Sequence, residues 1–159
     1  MRAFQDDYPD ELAQCFGCGR LNAEGHHLRS FWDGEESIAR FTPKPFHLAV
    51  PGFVNGGVLA SLVDCHATGT ASAAVARAAG STRTTGPARR FVTASLRVDY
   101  LRPTPLGPEL VLRGRVSSIA GRKVVVEVTI TAEGEVTVRG TVVCVELPDS
   151  MRLTGSTDR

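Results

Sequence analysis

The sequence lacks an excess of charge of either sign and a long apolar run. Its 18 lysines and arginines nearly balance 17 aspartates and glutamates, for a formal net charge of +1 over 159 residues. A general nucleic-acid-binding protein shows a clear basic excess, so we expect no nucleic acid among its partners. No apolar run approaches the roughly 20 residues of a membrane-spanning helix, so we expect no membrane contact either.

The amino-terminal segment lacks the apolar core of a signal peptide, because residues 1–8 read Met-Arg-Ala-Phe-Gln-Asp-Asp-Tyr. These absences favour a cytoplasmic protein, in a reducing compartment where the four cysteines are expected to be free thiols. A chain of 159 residues with 42% hydrophobic residues is long enough to bury a core as one domain. Internal repeats and low-complexity tracts are absent.

A second pair of closely spaced cysteines is also missing. Cys15 and Cys18, in the run Cys-Phe-Gly-Cys-Gly, look like half of a zinc site or a redox pair. A structural zinc ion needs four ligands, and His26 and His27 follow at a spacing that fits no standard pattern. We therefore predict no metal and no cofactor, and a cysteine loop that packs on the domain.

The pattern along the chain divides it into three parts. Residues 1–25 are irregular, and we predict a lead-in segment that packs on a domain of residues 26–147. Residues 148–159 are predicted to form a frayed polar tail. Within the domain, short strands are predicted at His27–Arg29 and Glu36–Phe41, with a turn between them at residues 33–34.

One long helix is predicted from Asn55 to about Ala79. The stretch has no proline, is dense in alanine, and has Asn55 as a natural N-cap and Gly80 as a natural C-cap. Many of its residues are small, which lets neighbouring backbone approach closely. We therefore expect other elements to wrap around this helix.

Four strand-like stretches follow the helix. They cover residues 91–101, 110–119, 123–132 and 135–147, with period-two patterning and turn signals between them. The first stretch is expected to place Thr93, Ser95, Arg97 and Asp99 on one polar face. A single helix cannot cover both faces of such a sheet, so we predict an α+β fold in which a curved antiparallel sheet wraps around the helix.

Asp64 is the candidate catalytic residue. It lies nine residues past Asn55 among apolar neighbours, far from the helix start where aspartate is favourable, and aspartate has poor propensity for the middle of a helix. The alternative is an aspartate on the open, solvent-facing side of the helix. Gly56 and Gly57 open the helix with N–H groups that lack intrahelical partners and can stabilise an oxyanion. A carboxylate together with such a helix terminus is the minimum that acyl transfer requires.

Residues 54–64, Val-Asn-Gly-Gly-Val-Leu-Ala-Ser-Leu-Val-Asp, carry a family resemblance. They resemble the helix opening of hotdog-fold acyl-CoA thioesterases of the phenylacetate-pathway type, in which His-Gly-Gly is followed by an acidic residue seven positions after the second glycine. Residues 91–103 resemble the next strand of this superfamily, which ends in an aromatic residue, a short gap and proline. The cysteine-containing opening, with Asn22 and Gly25, resembles a subgroup.

The resemblance implies the hotdog fold and an acyl-CoA thioesterase that releases a free acid and coenzyme A. It implies that Asp64 acts as the nucleophile or as the general base for water, and that the Gly56 N–H polarises the thioester carbonyl. Thr93 matches a serine or threonine that holds the water or the carboxylate. Asn55 stands where the motif usually has histidine, and it caps the helix, donates its amide N–H to the thioester oxygen, or does both.

The expected partner is an acyl-CoA substrate. The candidate substrate-binding residues are Gly57, Arg89, Arg90 and Arg102. The guanidinium groups of the three arginines suit the phosphates of coenzyme A, but these arginines are equally ordinary surface charges. The neighbouring Arg83 belongs to the same hypothesis.

Assembly follows from the helix geometry. Gly56 and Asp64 lie about 12 Å apart along one helix at 1.5 Å per residue, too far for one thioester group to reach both. We therefore expect a homodimer, or a dimer of dimers, in which Gly56 of one subunit faces Asp64 of the other. The polar face with Thr93, Ser95 and Asp99 is expected to line that interface.

Two other functions remain open. A hotdog enoyl-CoA hydratase or dehydratase would use a catalytic histidine paired with a carboxylate, and no histidine stands at the helix start. A non-catalytic acyl-CoA-binding domain would not need an acidic residue beside the thioester, and residues 1–25 are too short and glycine-rich for the helix-turn-helix of a sensor. His66 lies two positions from Asp64 on another side of the helix, so we expect a packed or interface histidine.

Overall fold

A computed structural model describes residues 2–80 and 89–151. Within them lie one long helix, α1 (Gly56–Ala78), and one six-stranded antiparallel sheet. The strands are β1 (Ser30–Asp33), β2 (Glu36–Phe41), β3 (Phe91–Tyr100), β4 (Leu110–Ala120), β5 (Lys123–Ala132) and β6 (Glu135–Glu146). Their order is β1-β2-β4-β5-β6-β3, which places β1 and β3 at the two edges.

The predicted α+β arrangement is confirmed, with α1 packed against β3, β4, β5 and β6. Fully buried side chains of the helix, such as Leu62 and Val63, meet fully buried side chains of the sheet. The close approach depends on glycine at the contact: a Cβ on Gly140 of β6 would lie 2.4 Å from Val63 Cγ1. The small residues of the sequence therefore let the sheet wrap tightly around the helix.

Helix α1 is apolar and long enough, by length and composition alone, to cross a bilayer. The statement that no apolar run approaches membrane-spanning length is therefore wrong for residues 56–78. Most of the apolar stretch is buried inside the molecule, and the core helix of a protein that does not enter a membrane meets the same criterion. The helix ends at Ala78, and Gly80 follows with a positive φ of 75°, as expected for a residue just beyond a helix.

The first strand begins three residues later than predicted. The backbone of residues 26–28 pairs with the cysteine loop instead of the sheet, because the His26 N–H donates to Phe16 O (2.8 Å) and the Leu28 N–H donates to Gly17 O (3.0 Å). His27 between them has a φ of 55°, which extended strand backbone does not adopt. The pairing explains why β1 starts only at Ser30.

The lead-in residues 2–25 pack against the domain through buried side chains that include Phe4, Tyr8 and Ala13. The Gln5 side chain ties them to β1, since its Oε1 accepts the Ser30 N–H at 2.9 Å. The tail expected at residues 148–159 falls largely outside the described residues.

Candidate active site

Asp64 and Thr93 meet between α1 and β3. The Thr93 hydroxyl donates a hydrogen bond to Asp64 Oδ1. The Asp64 side chain is half-buried, which argues against the alternative of a carboxylate fully in solvent. Burial raises the pKa of this carboxyl above its ordinary value, the Thr93 hydrogen bond opposes that rise, and negative charge on the nearby Cys15 adds to it. A carboxylate of raised pKa is a stronger base than an exposed one.

A β-bulge at Ala94 turns Thr93 toward the helix. Across β6, Thr93 lies opposite Cys144 while Ser95 lies opposite Val143, so the register shifts by one residue between them. Cys144 is fully buried on the helix-facing side of β6, and Thr93 shares that side. The expectation that Thr93 lies on one face with Ser95, Arg97 and Asp99 is therefore wrong, because strict alternation does not continue through the bulge.

The start of α1 is capped by Asn55. Its Oδ1 accepts the Gly57 N–H at 2.8 Å and the Val58 N–H at 3.4 Å, which confirms the capping role. The cap occupies the Gly57 N–H, so Gly57 does not offer a substrate-binding donor, and that prediction is corrected. The Gly56 N–H has no acceptor among the described residues. Only Oδ1 of the exposed Asn55 side chain takes part in the cap, and its Nδ2 amide group carries the N–H donors. Capping the helix and donating to a substrate are therefore compatible.

Tyr100, at the end of β3, contacts the same helix start. Its hydroxyl donates to the Gly56 carbonyl oxygen at 2.7 Å, and a Cβ on Gly56 would lie 3.3 Å from its ring. We did not predict this contact from the sequence. The only signal was an aromatic residue near the proline that ends the family strand.

A groove of about 470 Å³ adjoins this helix start. Its lining is mostly apolar and consists of Val50, Phe53, Val54, Leu59, Tyr100, Leu101, Arg102, Pro103 and Thr104. The volume lies within the range usual for small-molecule sites. The candidate oxyanion donor at Gly56 and an apolar groove thus lie at one end of β3, and the candidate carboxylate contacts the other end.

The candidate phosphate-binding arginines do not form a cluster. Arg89 and Arg90 precede β3 and Arg102 follows it, and a ten-residue strand spans about 33 Å. The Arg90 guanidinium packs over the Tyr8 ring at 3.4 Å, while Arg102 pairs with Glu135 at 3.2 Å. Within one chain Arg102 therefore lies far from Arg89 and Arg90. That these arginines bind the phosphates of coenzyme A stays a prediction, and Arg83 lies outside the described residues.

His66 and His47 form hydrogen bonds away from Asp64. His66 is fully buried, with Nδ1 2.9 Å from Ser30 Oγ and Nε2 3.0 Å from Ser37 Oγ, as expected of a packed histidine. His47 Nδ1 accepts the Lys44 N–H at 3.0 Å. Within residues 2–80 and 89–151, no histidine forms a hydrogen bond to Asp64, so the described part of the chain lacks the histidine–carboxylate pair of a hydratase.

The Cys15–Cys18 pair has a third cysteine beside it. The Sγ atoms of Cys15, Cys18 and Cys65 all lie within 4.8 Å of one another. The sequence offers no second closely spaced pair, and the structure adds one sulfur, that of Cys65, to Cys15 and Cys18. Cys65 comes from α1, where a sequence pattern of closely spaced cysteines could not reveal it.

Comparison with known proteins gives a consistent set of relatives. The family model of the thioesterase superfamily matches residues 51–139. Acyl-coenzyme A thioesterase THEM4 of Xenopus laevis is 34% identical over 87 residues, which cover 55% of this chain and 33% of that protein. The rat protein of the same name is 31% identical over 136 residues, which cover 84% of this chain and 53% of its own length. The chain thus spans about a third to a half of these relatives.

Solved structures extend the likeness. A thioesterase superfamily protein from Shewanella loihica PV-4 aligns with a TM-score of 0.68 and 46% identity, covering 89% of this chain and all of that one. The PaaI protein from the phenylacetic acid degradation operon of E. coli aligns with a TM-score of 0.62 over 77% of this chain and 81% of its own. At 16% identity the PaaI likeness shows the fold alone. Together these neighbours confirm the predicted hotdog fold.

Proposed function

Because the chain belongs to the thioesterase superfamily, we propose that it is an acyl-CoA thioesterase that uses Asp64 as its catalytic carboxylate. The observation that supports this role most directly is the half-buried Asp64 carboxylate held by the Thr93 hydroxyl. The names of the relatives support acyl-CoA as the substrate class.

The chemistry needs one group that acts at the carbonyl carbon and a second that acts at the carbonyl oxygen. In one route the Asp64 carboxylate removes a proton from water as the water oxygen attacks the carbonyl carbon. In the other, Asp64 itself attacks and forms an anhydride that water then hydrolyses. In both, the carbonyl oxygen gains negative charge and the C–S bond breaks. Coenzyme A leaves as the thiolate, which takes its proton from Asp64 in the first route and from water in the second. The Gly56 N–H is the candidate donor to that oxygen, with Asn55 beside it.

The site is proposed to be shared between two subunits. Gly56 and Asp64 are eight residues apart on a regular helix, about 12 Å along its axis. One thioester carbonyl cannot contact both groups within one chain. A second copy must therefore supply one of them.

The free edge of β3 supports this assembly. β3 is a ten-residue edge strand whose side chains are mostly exposed, including Leu96 and Tyr100 on its helix-facing side. A long edge strand with exposed apolar side chains favours pairing with another strand. A second copy of β3 is the natural partner, because an antiparallel pair of identical strands has two-fold symmetry.

The two ends of β3 explain how such pairing completes the site. Thr93 marks the end that contacts Asp64, and Tyr100 marks the end that contacts Gly56. An antiparallel register centred on Arg97 sets Ser95 opposite Asp99 and, across the bulge at Ala94, brings Thr93 of one copy level with Tyr100 of the other. Asp64 of one subunit then lies at the same end of the paired strands as Gly56 of the second subunit. The two-fold symmetry gives two such sites per dimer.

The groove beside Gly56 suggests where the substrate's apolar part binds. Its Val50, Phe53 and Leu101 side chains offer apolar surface, with Arg102 among the lining residues. We propose that an apolar acyl chain or an aromatic acyl group lies there. Specificity among acyl groups would then depend on these side chains.

The test is a panel of short, long and aromatic acyl-CoA substrates, with release of the coenzyme A thiol followed by a thiol reagent. Hydration of an enoyl-CoA is measured in parallel. The proposal predicts thiol release that is saturable in at least one substrate, with no hydration. Hydration without thiol release would instead favour the hydratase, and binding without either reaction would favour a non-catalytic acyl-CoA-binding domain.

A further inference from the structure

Three cysteines from distant parts of the chain meet beside α1. Cys15 and Cys18 come from the lead-in loop and Cys65 comes from the helix, fifty positions after Cys15. All three sulfur atoms lie within 4.8 Å of one another, and the Cys15 and Cys65 sulfurs are 3.6 Å apart. Cys18 and Cys65 are buried, while Cys15 is half-buried. The proposed thioester chemistry uses none of them.

The loop is shaped to bring its sulfurs to the helix. A Cβ on Gly17 would lie 2.2 Å from Cys65 Sγ, so only glycine allows this approach. A Cβ on Gly19 would lie 2.4 Å from the Cys15 backbone nitrogen, and the Gly19 N–H donates to Cys15 O at 2.7 Å. These close approaches hold the loop against the helix with its cysteines beside Cys65.

The sulfur spacing fits a shared metal ion. Two thiolates bound tetrahedrally to zinc, each at about 2.3 Å, lie about 3.8 Å apart. The observed Cys15–Cys65 distance of 3.6 Å is within a few tenths of an ångström of that value. A disulfide would need the two sulfurs to approach to about 2.05 Å. The spacing therefore favours an ion between the sulfurs over a bond between them.

The fourth position of the tetrahedron would be taken by water, as in zinc sites with three protein ligands. His26 lies at the same loop, because its N–H donates to Phe16 O and its ring centroid is 4.5 Å from that of Phe16, but its ring nitrogens are not part of the three-sulfur cluster. Its buried Nε2 has no hydrogen-bond partner among residues 2–80 and 89–151.

We propose that Cys15, Cys18 and Cys65 form a binding site for one thiophilic metal ion, with zinc(II) as the first candidate. Binding releases three thiol protons to solvent and leaves three metal–thiolate bonds. The ion fastens residues 15–18 to α1 directly beside Asp64. The ion would hold the lead-in segment against the helix that carries the candidate carboxylate. This reverses the expectation of no metal, and it does not depend on the proposed function.

The experiment titrates zinc(II) into purified, chelator-stripped protein under reducing conditions, against a zinc indicator dye. The proposal predicts one zinc per chain and a raised melting temperature. Cobalt(II) in its place should give a thiolate-to-cobalt charge-transfer band. Cys65→Ser should weaken zinc binding more than about 100-fold, since loss of even an outer-shell partner costs 10–100-fold. Cys144→Ser is the matched control, because Cys144 is buried but lies outside the cluster, and it should bind zinc like the parent.

Cys15→Ser provides a second variant in case Cys65→Ser does not fold, because Cys15 is the less buried ligand. It should keep the fold, as judged by circular dichroism, and lose the cobalt band. Absence of stoichiometric zinc in the parent, or equal zinc affinity in the parent and Cys15→Ser, would overturn the proposal. An intact mass two hydrogens lower under mild oxidation, with no zinc bound under reduction, would identify a redox pair instead and equally overturn it.

Discussion

The Thr93 hydroxyl donates a hydrogen bond to the Asp64 carboxylate and so joins the edge strand β3 to the middle of α1. The contact exists because the bulge at Ala94 places Thr93 on the helix-facing side of its strand. It holds the carboxylate of the proposed thioesterase in one position.

Replacing Asp64 with asparagine should preserve the fold, because asparagine has nearly the same shape and can accept the same hydrogen bond. It should lower kcat by about 100-fold or more, since the amide is neither a base nor a nucleophile. Asp33→Asn, on the opposite edge of the sheet, is the matched control and should leave kcat unchanged. Near-normal turnover by Asp64→Asn would remove Asp64 from the mechanism.

Thr93→Val should shift the acid limb of the pH profile. The Thr93 hydrogen bond stabilises ionised Asp64 and lowers its pKa, against the rise caused by burial. Without the hydroxyl the pKa rises further, so less carboxylate is ionised at a given acidic pH. The acid limb of kcat/KM should move to higher pH in Thr93→Val and return in Thr93→Ser. An unchanged profile in Thr93→Val would show that the hydroxyl does not act on this carboxylate.

Asn55→Asp should reduce activity more than Asn55→His. Aspartate still caps the helix, so the melting temperature should stay near that of the parent. It cannot donate to a carbonyl, however, and it places negative charge where the oxyanion forms, which should cost roughly 100-fold in kcat. If the aspartate variant turned over as fast as the parent, Asn55 would have the capping role alone.

His66 should make the fold sensitive to acid. Burial lowers the pKa of His66 to about 4, whereas an unfolded histidine titrates near 6.5. Above about pH 6.5 both states are neutral. As the pH falls from there to about 4, only the unfolded state takes up the proton, so the free energy of unfolding should fall by about 3 kcal/mol. Urea titrations at several pH values in this range give the free energy of unfolding as a function of pH. Its slope in the parent should exceed that in His66→Gln by the uptake of one proton on unfolding, and equal slopes would contradict the assignment.

Local signals in the sequence predicted much of the fold. Asn55 and Gly80 marked the ends of α1 within two residues, and period-two patterning located β3 to β6. From the family resemblance, Thr93 was predicted to hold the nucleophilic water or the carboxylate, and the structure places it in contact with Asp64. The helix ends and the four strands are encoded by residues that lie near them in the sequence.

The remainder depends on contacts between distant residues. The bulge at Ala94 is one extra residue that alternation cannot reveal, and it reversed the expected face of Thr93. Cys65 joins Cys15 only once the lead-in loop folds onto α1. The Tyr100–Gly56 hydrogen bond likewise joins residues 44 positions apart. Such pairs become visible only in three dimensions.

Gly56→Pro offers a way to remove one half of the proposed shared site. Proline is tolerated at the first position of a helix, and Asn55 before it already has the extended backbone that proline requires (φ −60°, ψ 133°). The change deletes the candidate oxyanion donor, the Gly56 N–H. Gly56→Ala adds a similar Cβ near Tyr100 but keeps the N–H, so the difference between the two variants isolates the donor.

The most direct test of the shared site mixes Asp64→Ala with Gly56→Pro, each inactive alone, after subunit exchange confirmed by native mass spectrometry. In a mixed dimer one site combines intact Asp64 from one chain with intact Gly56 from the other. Activity should therefore return to about a quarter of the wild-type value, because half of the dimers are mixed and each has one working site of two. Activity that stays at the sum of the two variants, with exchange complete, would contradict a site shared between subunits.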